Sequence, residues 1–210
     1  MSENTTPRRL GRPRSFDAEA ALDAAVGVFW AKGYDAASMD ELTTAMGIAR
    51  PSLYAAFGDK RALFLAALDR YAAGIGGNAM AAFEAEPEIG RAVAAFLAAS
   101  LDGNTEPGCP AGCLLACSAG ASAGIVEGVA DRLAAVFAGS EARLAERFEA
   151  ERAAGTLGPC PEPRVRAARL VDMMIAQAVR ARAGANRETL RAGLPDRVAA
   201  VLGGAEAGRG

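Results

Sequence analysis

Histidine is absent from the chain of 210 residues, so no imidazole can serve as a general base or as a metal ligand. Aromatic residues are few, at 6% of the total, and β-branched residues are sparse, which disfavours β-sheet. No segment approaches the roughly 18 consecutive apolar residues of a membrane span, and the polar N-terminus lacks the apolar core of a secretory signal. We therefore expect a cytoplasmic protein without a transmembrane helix.

Positive charge is also limited, because 23 Lys and Arg residues are outnumbered by 25 Asp and Glu residues. The net charge of −2 argues against a protein that coats nucleic acid through a broad basic surface. Any contact with DNA must therefore be local. The N-terminal tail is one local candidate, since Arg8, Arg9, Arg12 and Arg14 are opposed there only by Glu3. It is either a basic arm or a solvated terminus without a partner.

Alanine is abundant, and it occurs in long stretches with Leu, Val, Glu and Arg that favour helix. With 51% hydrophobic residues, a chain of this length can bury a substantial core. The fold class that we predict is all-α, with about nine helices.

Two helix starts are marked in the first third of the chain. Asp17 can cap a first helix, which Gly33 ends. The segment Ser38-Met39-Asp40-Glu41 is a capping box that begins a short second helix. Leu42, Ala45 and Met46 are predicted to face the core from this second helix.

A third helix follows after a tight turn. Gly47 ends the second helix, and Pro51 lies in the first turn of a helix that runs through Phe57. This order predicts a helix-turn-helix motif, whose last helix enters the major groove of DNA. The residues best placed to contact base edges are Arg50, Pro51, Ser52 and Ala56.

The same region resembles the N-terminal signature of TetR-type repressors. The resemblance rests on Leu22, Ala25, Phe29, Gly33, Tyr34, Ser38, Leu42, Ala45, Gly47, Ile48, Leu53, Tyr54, Phe57, Lys60 and Leu63. It implies a three-helix DNA-binding head, a fourth connecting helix, a divergent ligand-binding body and a two-fold dimer. The implied organisation is a flexible basic arm at 1–15, a helix-turn-helix domain at 16–62, and a ligand-sensing and dimerisation domain at 63–204.

The resemblance also assigns roles to single residues. Tyr54 and Lys60 would hold DNA phosphates, with Lys60 assisted by the amides that open the fourth helix. Ser38 would both cap its helix and touch the DNA backbone. The tail around Arg12 and Arg14 resembles arms that enter A/T-rich minor grooves.

Two positions depart from the family pattern. Ala49 stands where a serine or threonine is common, and Ala56 stands where an aromatic residue or histidine is common. The base contacts of relatives therefore cannot be transferred to this chain.

The last two predicted helices are candidates for a dimer interface. A helix from about Arg164 to Arg182 is apolar nearly all round between Leu170 and Val179, which favours burial against both its own body and a partner. The last helix, restarted at Pro195, would complete a four-helix seam between two subunits.

Three cysteines recur every four residues at Cys109, Cys113 and Cys117, and Pro110 is predicted to begin a helix there. One interpretation is packing, because a free cysteine behaves as a small hydrophobe. Another is modification of a thiolate whose pKa the helix start lowers. A third is a soft metal such as Cu(I), held by two or three thiolates.

An apolar small ligand is the remaining alternative for this region. Its pocket would be lined by Phe96, Leu97, Cys113, Phe137 and Met173.

The expected function is a homodimeric, sequence-specific DNA-binding repressor. It would bind a pseudo-palindromic operator and be released by an apolar or thiol-reactive compound or a soft metal. The alternative is a thiol enzyme or small-ligand carrier built on a helical bundle. We identify no catalytic residues, resident metal or cofactor, since no nucleophile and base occur at a recognisable spacing.

Overall fold

The structure is a computed structural model that describes residues 16–203 of the chain. Within that range it is all-α and contains no strand, so the predicted fold class is confirmed. Its helices are α1 (Ala18–Ala36), α2 (Met39–Met46), α3 (Arg50–Phe57), α4 (Lys60–Ala73), α5 (Asn78–Ala85), α6 (Ile89–Asn104), α7 (Val129–Ala153), α8 (Pro163–Arg182), α9 (Arg187–Ala192) and α10 (Leu194–Leu202). Counting α9 and α10 as one helix restarted before Pro195 gives the expected nine. None of these helices is long and apolar enough to cross a membrane.

Helices α1 to α4, here called the head, begin mostly at capping side chains. The carboxylate of Asp17 accepts hydrogen bonds from the backbone N–H groups of Glu19, at 2.9 Å, and Ala20, at 3.2 Å. Near its end α1 is broken at Gly33, whose φ of 77° is readily adopted only by glycine. Asp59 caps α4 by accepting from the Ala62 N–H at 2.7 Å. The predicted start and end of α1 are thus both found.

The core of the head is a cluster of aromatic and aliphatic side chains. The ring of Phe64 lies 4.8 Å from that of Phe29 and 5.1 Å from that of Tyr34, measured between centroids. The same cluster includes residues from beyond the head, among them Leu114, Leu115 and Val129. The head therefore shares its core with later parts of the chain.

One predicted core residue of α2 lies outside this core. Leu42 and Met46 are buried, but Ala45 is exposed. A helix of only eight residues buries a stripe too narrow to include all three positions.

Helices α5 to α10, together with the connecting segment 105–128, are here called the body. Its core is a second apolar cluster, in which the ring centroid of Phe83 lies 6.3 Å from Phe96 and 5.9 Å from Phe148. Helices α5, α6, α7, α8 and α10 all contribute to it.

Helix α10, predicted to complete the dimer seam, packs part of its apolar face on its own body. Val201 is fully buried, and Leu194, Val198 and Leu202 pack against the core of their own body. The restart at Pro195 turns the helix back onto α6 and α8, which covers these residues within the subunit.

Candidate nucleic-acid interface and sensor cavity

The helix-turn-helix is formed by α2, a turn at Gly47 and α3. Gly47 adopts a left-handed conformation with φ 64° and ψ 27°, and its N–H bonds to the carbonyls that end α2. Leu53 is fully buried beneath α3, and Phe57 packs against the head core. These contacts fix one face of α3 and leave the opposite face toward solvent.

The capping box at the start of α2 is present. The hydroxyl of Ser38 accepts from the Glu41 N–H at 3.2 Å, and the Glu41 carboxylate accepts from the Ser38 N–H at 3.1 Å. Glu41 also pairs with Lys32 of α1. The hydrogen bond from Lys32, followed by that from Ser38, lowers the pKa of Glu41 to about 2. The carboxylate therefore stays ionised and ties α2 to α1.

The solvent face of α3 carries two of the four predicted base-contact residues and the predicted phosphate contact Tyr54. Arg50, Pro51 and Tyr54 are exposed, with half of the Tyr54 surface accessible, while Ser52 and Ala56 are partly buried. The Arg50 guanidinium pairs with Asp40 of α2 at 3.1 Å. Since both partners are exposed, that pair is weak, and Arg50 is free to turn toward a ligand.

Lys60 lies at the first position of α4, next to the end of α3. Its Nζ lies 4.6 Å from the centroid of the Tyr34 ring and 3.5 Å from the carbonyl oxygen of Asp35. No carboxylate among residues 16–203 forms an ion pair with it. Tyr34 and Asp35 thus position a cation whose charge is not neutralised by the described part of the chain. Arg12 and Arg14 lie outside the described residues.

A cavity of about 280 Å³ lies where α4 of the head meets the body. Its wall is formed by residues of α4 to α8 and of the segment 113–115. It brings together three of the predicted pocket residues, Phe96, Cys113 and Phe137. Its remaining wall is mainly apolar, with Ser140 and Arg143 as polar members.

Two residues predicted for the pocket do not line this cavity. Leu97 is fully buried in the body core, and Met173 packs against that core, while the neighbouring Met174 lines the cavity. Successive positions of a helix point about 100° apart, so an error of one residue exchanges one face for another.

Cys113 precedes a short π-helical turn, Leu114–Ala119, in which each bond spans five residues. The helix predicted to begin at Pro110 is therefore absent, and the chain turns only after Cys113. Burial raises the pKa of the Cys113 thiol, and the nearby amides of Ala116 and Leu115 and the hydroxyl of Tyr71 offset this rise only in part. The lowered pKa expected for this thiol is thus contradicted.

The other cysteines of the series do not gather around Cys113 as a metal site. Cys109 is exposed, and Cys117 is partly buried in the π-helical turn. Within the described residues, no group of three or more Cys, Asp or Glu side chains lies together in a way that could hold a metal. A three-thiolate copper site is therefore not formed.

Sequence reasoning missed a contact between the head and the body at Trp30, the single tryptophan of the chain. Its indole N–H donates to the carbonyl of Gly112 at 2.9 Å. Its own carbonyl accepts from the Ser118 hydroxyl and from the Arg182 guanidinium, both at 2.9 Å. Helical periodicity identifies Trp30 as a core residue but gives no sign of these partners, which lie more than 80 residues later.

The helices, the turn at Gly47 and the exposed face of α3 together define a helix-turn-helix protein with a helical body. The profile of bacterial regulatory proteins of the tetR family matches residues 21–67. The transcriptional repressor ComR of Escherichia coli K12 is 47% identical over 70 residues, 33% of this chain and 33% of that protein. The repressor BdcR of the same organism is 52% identical over 61 residues, 29% of this chain and 31% of that protein. These matches span about a third of the length of the curated relatives.

A solved structure extends the likeness to nearly the whole chain. The TetR-family regulator CifR, solved as a cysteine mutant in complex with 26-bp double-strand operator DNA, is 34% identical. The match covers 90% of this chain and 99% of that one, with a TM-score of 0.80. The chain therefore belongs to the TetR family of transcriptional regulators.

Proposed function

We propose that this protein is a repressor that binds duplex DNA through the head and is released when a compound occupies the body cavity. The observation that carries the proposal is the exposed face of α3, anchored from behind by Leu53 and flanked by Tyr54 and Lys60. ComR and BdcR are repressors by name, and CifR was solved with operator DNA. Both facts support a role in DNA binding for this family member.

The proposed contacts divide into two kinds. Lys60, Tyr54 and Ser38 would hold phosphates, which positions the head without reading sequence. Arg50, Pro51, Ser52 and Ala56 would meet base edges in the major groove. Arg12 and Arg14 would add contacts from the arm, in the minor groove.

The protein would act as a homodimer, which sets two recognition helices about 34 Å apart on a pseudo-palindrome. Val165 and Val179 of α8 are 43% and 48% exposed, which is unusual for large apolar residues on a helix of the body. Between α7 and α8 runs a groove lined by the small residues Ala138 and Ala142 and also by Glu141, Glu146 and Glu149, and a partner helix could approach closely at the two alanines. We therefore propose that the dimer contact includes α8, as predicted from the sequence together with the last helix, and that α7 contributes the small residues of this groove.

This dimer contact has a direct test. Light scattering is expected to give the mass of two chains for the wild type and of one chain for Ala142→Arg. The control Ala154→Arg, just beyond the end of α7, is expected to stay dimeric. A monomeric wild type would rule the arrangement out.

The compound that releases DNA is proposed to be small and apolar or thiol-reactive, because Cys113 lies in the wall of an otherwise mainly apolar cavity. Binding in that cavity would favour a body conformation whose two heads are wrongly spaced for DNA, and release follows from the difference in affinity. A thiol enzyme would instead need a base beside Cys113. The side chain beside its sulfur is that of Tyr71. Burial raises the pKa of that phenol, so it stays protonated and cannot act as the base.

Mobility-shift assays test this function with duplexes from the promoter region of the protein's own gene. Lys60→Ala is expected to weaken binding to all sequences alike. It should also reduce the magnitude of the slope of log affinity against log salt concentration by about 1 per subunit. Ser52→Ala should instead change the preference among sequences. Arg91→Ala, which removes the same charge from an exposed site in the body, is the control.

The assays are repeated after treatment with N-ethylmaleimide or with Cu(I), on the wild type and on Cys113→Ser. Release by N-ethylmaleimide in the wild type alone supports the thiol-reactive class, and release by copper alone supports a two-thiolate metal site. A wild type that binds none of these duplexes at low salt would refute the proposed function.

A further inference from the structure

The contacts of Trp30 join three separate parts of the molecule. Arg182, at the end of α8, donates both to the Trp30 carbonyl, at 2.9 Å, and to the Ser118 hydroxyl, at 3.1 Å. Ser118 donates in turn to the same carbonyl, and Gly112 accepts from the indole. We call this group of four residues the Trp30 joint. It ties helix α1 of the head to the segment 112–118 and to α8 of the body.

The segment 112–118 is held tightly against α8. Gly112 has a φ of 81°, and a Cβ atom added to it would lie 2.7 Å from the carbonyl oxygen of Ala178 and 3.0 Å from the sulfur of Cys117. Such distances leave no room for even one methyl group. A displacement of this segment must therefore be passed on to its neighbours.

The cavity is one contact away from the joint by two routes. Cys113, in the cavity wall, directly follows Gly112 in the chain. Tyr71, which lines the same small cavity as Cys113, packs edge-on against Trp30 with 5.2 Å between ring centroids. Added bulk at Cys113 would press on both Gly112 and Tyr71, and both contact Trp30.

The joint is incompletely satisfied in the form described here. The Nε–H of Arg182 is buried and has no hydrogen-bond partner among residues 16–203, and a buried donor without a partner is destabilising. No carboxylate within the described range pairs with this guanidinium either. The closed joint is therefore less stable than one in which every donor of Arg182 is bonded.

The position of Trp30 in α1 gives the joint access to the recognition helix. Trp30 lies three residues before the break at Gly33, and the capping box that starts α2 begins at Ser38. A shift of Trp30 moves the end of α1, and with it the start of the helix-turn-helix.

We propose that Trp30, Ser118 and Arg182 are positioning residues that transmit the state of the body cavity to the DNA-binding head. This inference rests on the proposed function, since it needs DNA at one end of the route. The closed joint belongs to the DNA-binding form, and displacement of the segment 112–118 opens it.

The test uses the full chain, the promoter duplex and N-ethylmaleimide as the probe at Cys113. Because bound duplex favours the closed joint and lowers the population of the open form, it should slow alkylation of Cys113 by about fivefold or more, with exposed Cys160 as the internal reference in fragment-resolved mass spectrometry. In Arg182→Gln and Trp30→Phe this protection should fall to near onefold while the duplex is still bound. Arg180→Gln removes the same charge from an exposed position of α8 and should keep the protection.

A second readout needs no DNA. Alkylation of Cys113 should change the amide hydrogen exchange of α2 and α3 in the wild type and in Arg180→Gln, but not in Arg182→Gln. Ser118→Ala removes only a hydroxyl and should show the same uncoupling to a smaller extent, which covers the case in which Arg182→Gln fails to fold.

The outcomes separate the two proposals. Protection that persists in Arg182→Gln, Trp30→Phe and Ser118→Ala would overturn the role of the joint, with DNA binding intact. A wild type that ignores the duplex but still shows the change in hydrogen exchange on alkylation would overturn DNA binding alone.

Discussion

The head and the body are held in shape by different kinds of hydrogen bond. In the head, α1, α2 and α4 start at Asp17, Ser38 and Asp59, which cap amides two or three residues away. The two long helices of the body, α7 and α8, have no capping side chain at their starts. Buried polar side chains of α8 bond instead to backbone carbonyls of other elements. Three of the four head helices thus start at local caps, as α6 and α9 of the body do at Glu88 and Asn186, whereas α7 and α8 depend on long-range contacts.

Arg166 is the clearest case of a long-range contact in the body. This side chain is 1% exposed, and its guanidinium donates to the carbonyls of Gly158, Cys160 and Pro161 in the loop before α8 and of Val201 in α10. It therefore fastens both the loop and α10 to α8.

Among substitutions that test the contrast between head and body, Arg166→Met is expected to have the largest effect on stability. Loss of four carbonyl partners should lower the free energy of unfolding by about 3 kcal/mol, measured by urea denaturation. Arg169→Met is the matched control, because that exposed residue makes one bond of 3.3 Å, to Ala200. Equal effects of the two substitutions would show that the body does not depend on the buried guanidinium.

A smaller effect is expected from Glu41→Gln in the head. The folded chain lowers the pKa of Glu41 from 4.5 to about 2, so ionised Glu41 contributes stability that is present above pH 4.5 and lost as the pH falls toward 2. The wild type should lose this part of its stability over that window, and Glu41→Gln should not.

Thermal unfolding at a series of pH values measures the difference between wild type and Glu41→Gln. Glu149→Gln, an exposed glutamate of α7, serves as the control for a simple loss of charge. A difference that stays constant with pH would show that the capping box does not depend on ionised Glu41.

The contrast between the two regions also explains what the sequence could predict. The capping box at Ser38, the break at Gly33 and the turn at Gly47 were predicted correctly, because each depends on residues within a few positions. Leu42 and Met46 of α2 were also predicted correctly as core residues, since both are buried.

Errors occur where distant contacts decide the structure. The π-helical turn after Cys113 is bounded by Trp30 and α8, which lie far away in sequence, and the same burial reverses the expected shift of the Cys113 pKa. The sequence of α10 has an amphipathic pattern. This pattern does not tell whether its apolar face packs against its own body or against a partner subunit. The roles assigned to Tyr54, Lys60 and the base-contact residues remain predictions, because they concern a molecule that is not present.

The shared core has a consequence for how such proteins can be recombined. Leu114, Leu115 and Val129 complete the apolar cluster that holds α1 and α4 together, although they lie well beyond the helix-turn-helix. A head cut out after residue 73 would expose this cluster to water and tend to aggregate. The head therefore cannot be exchanged by itself between relatives. A chimera would have to exchange the segment 114–133 along with it.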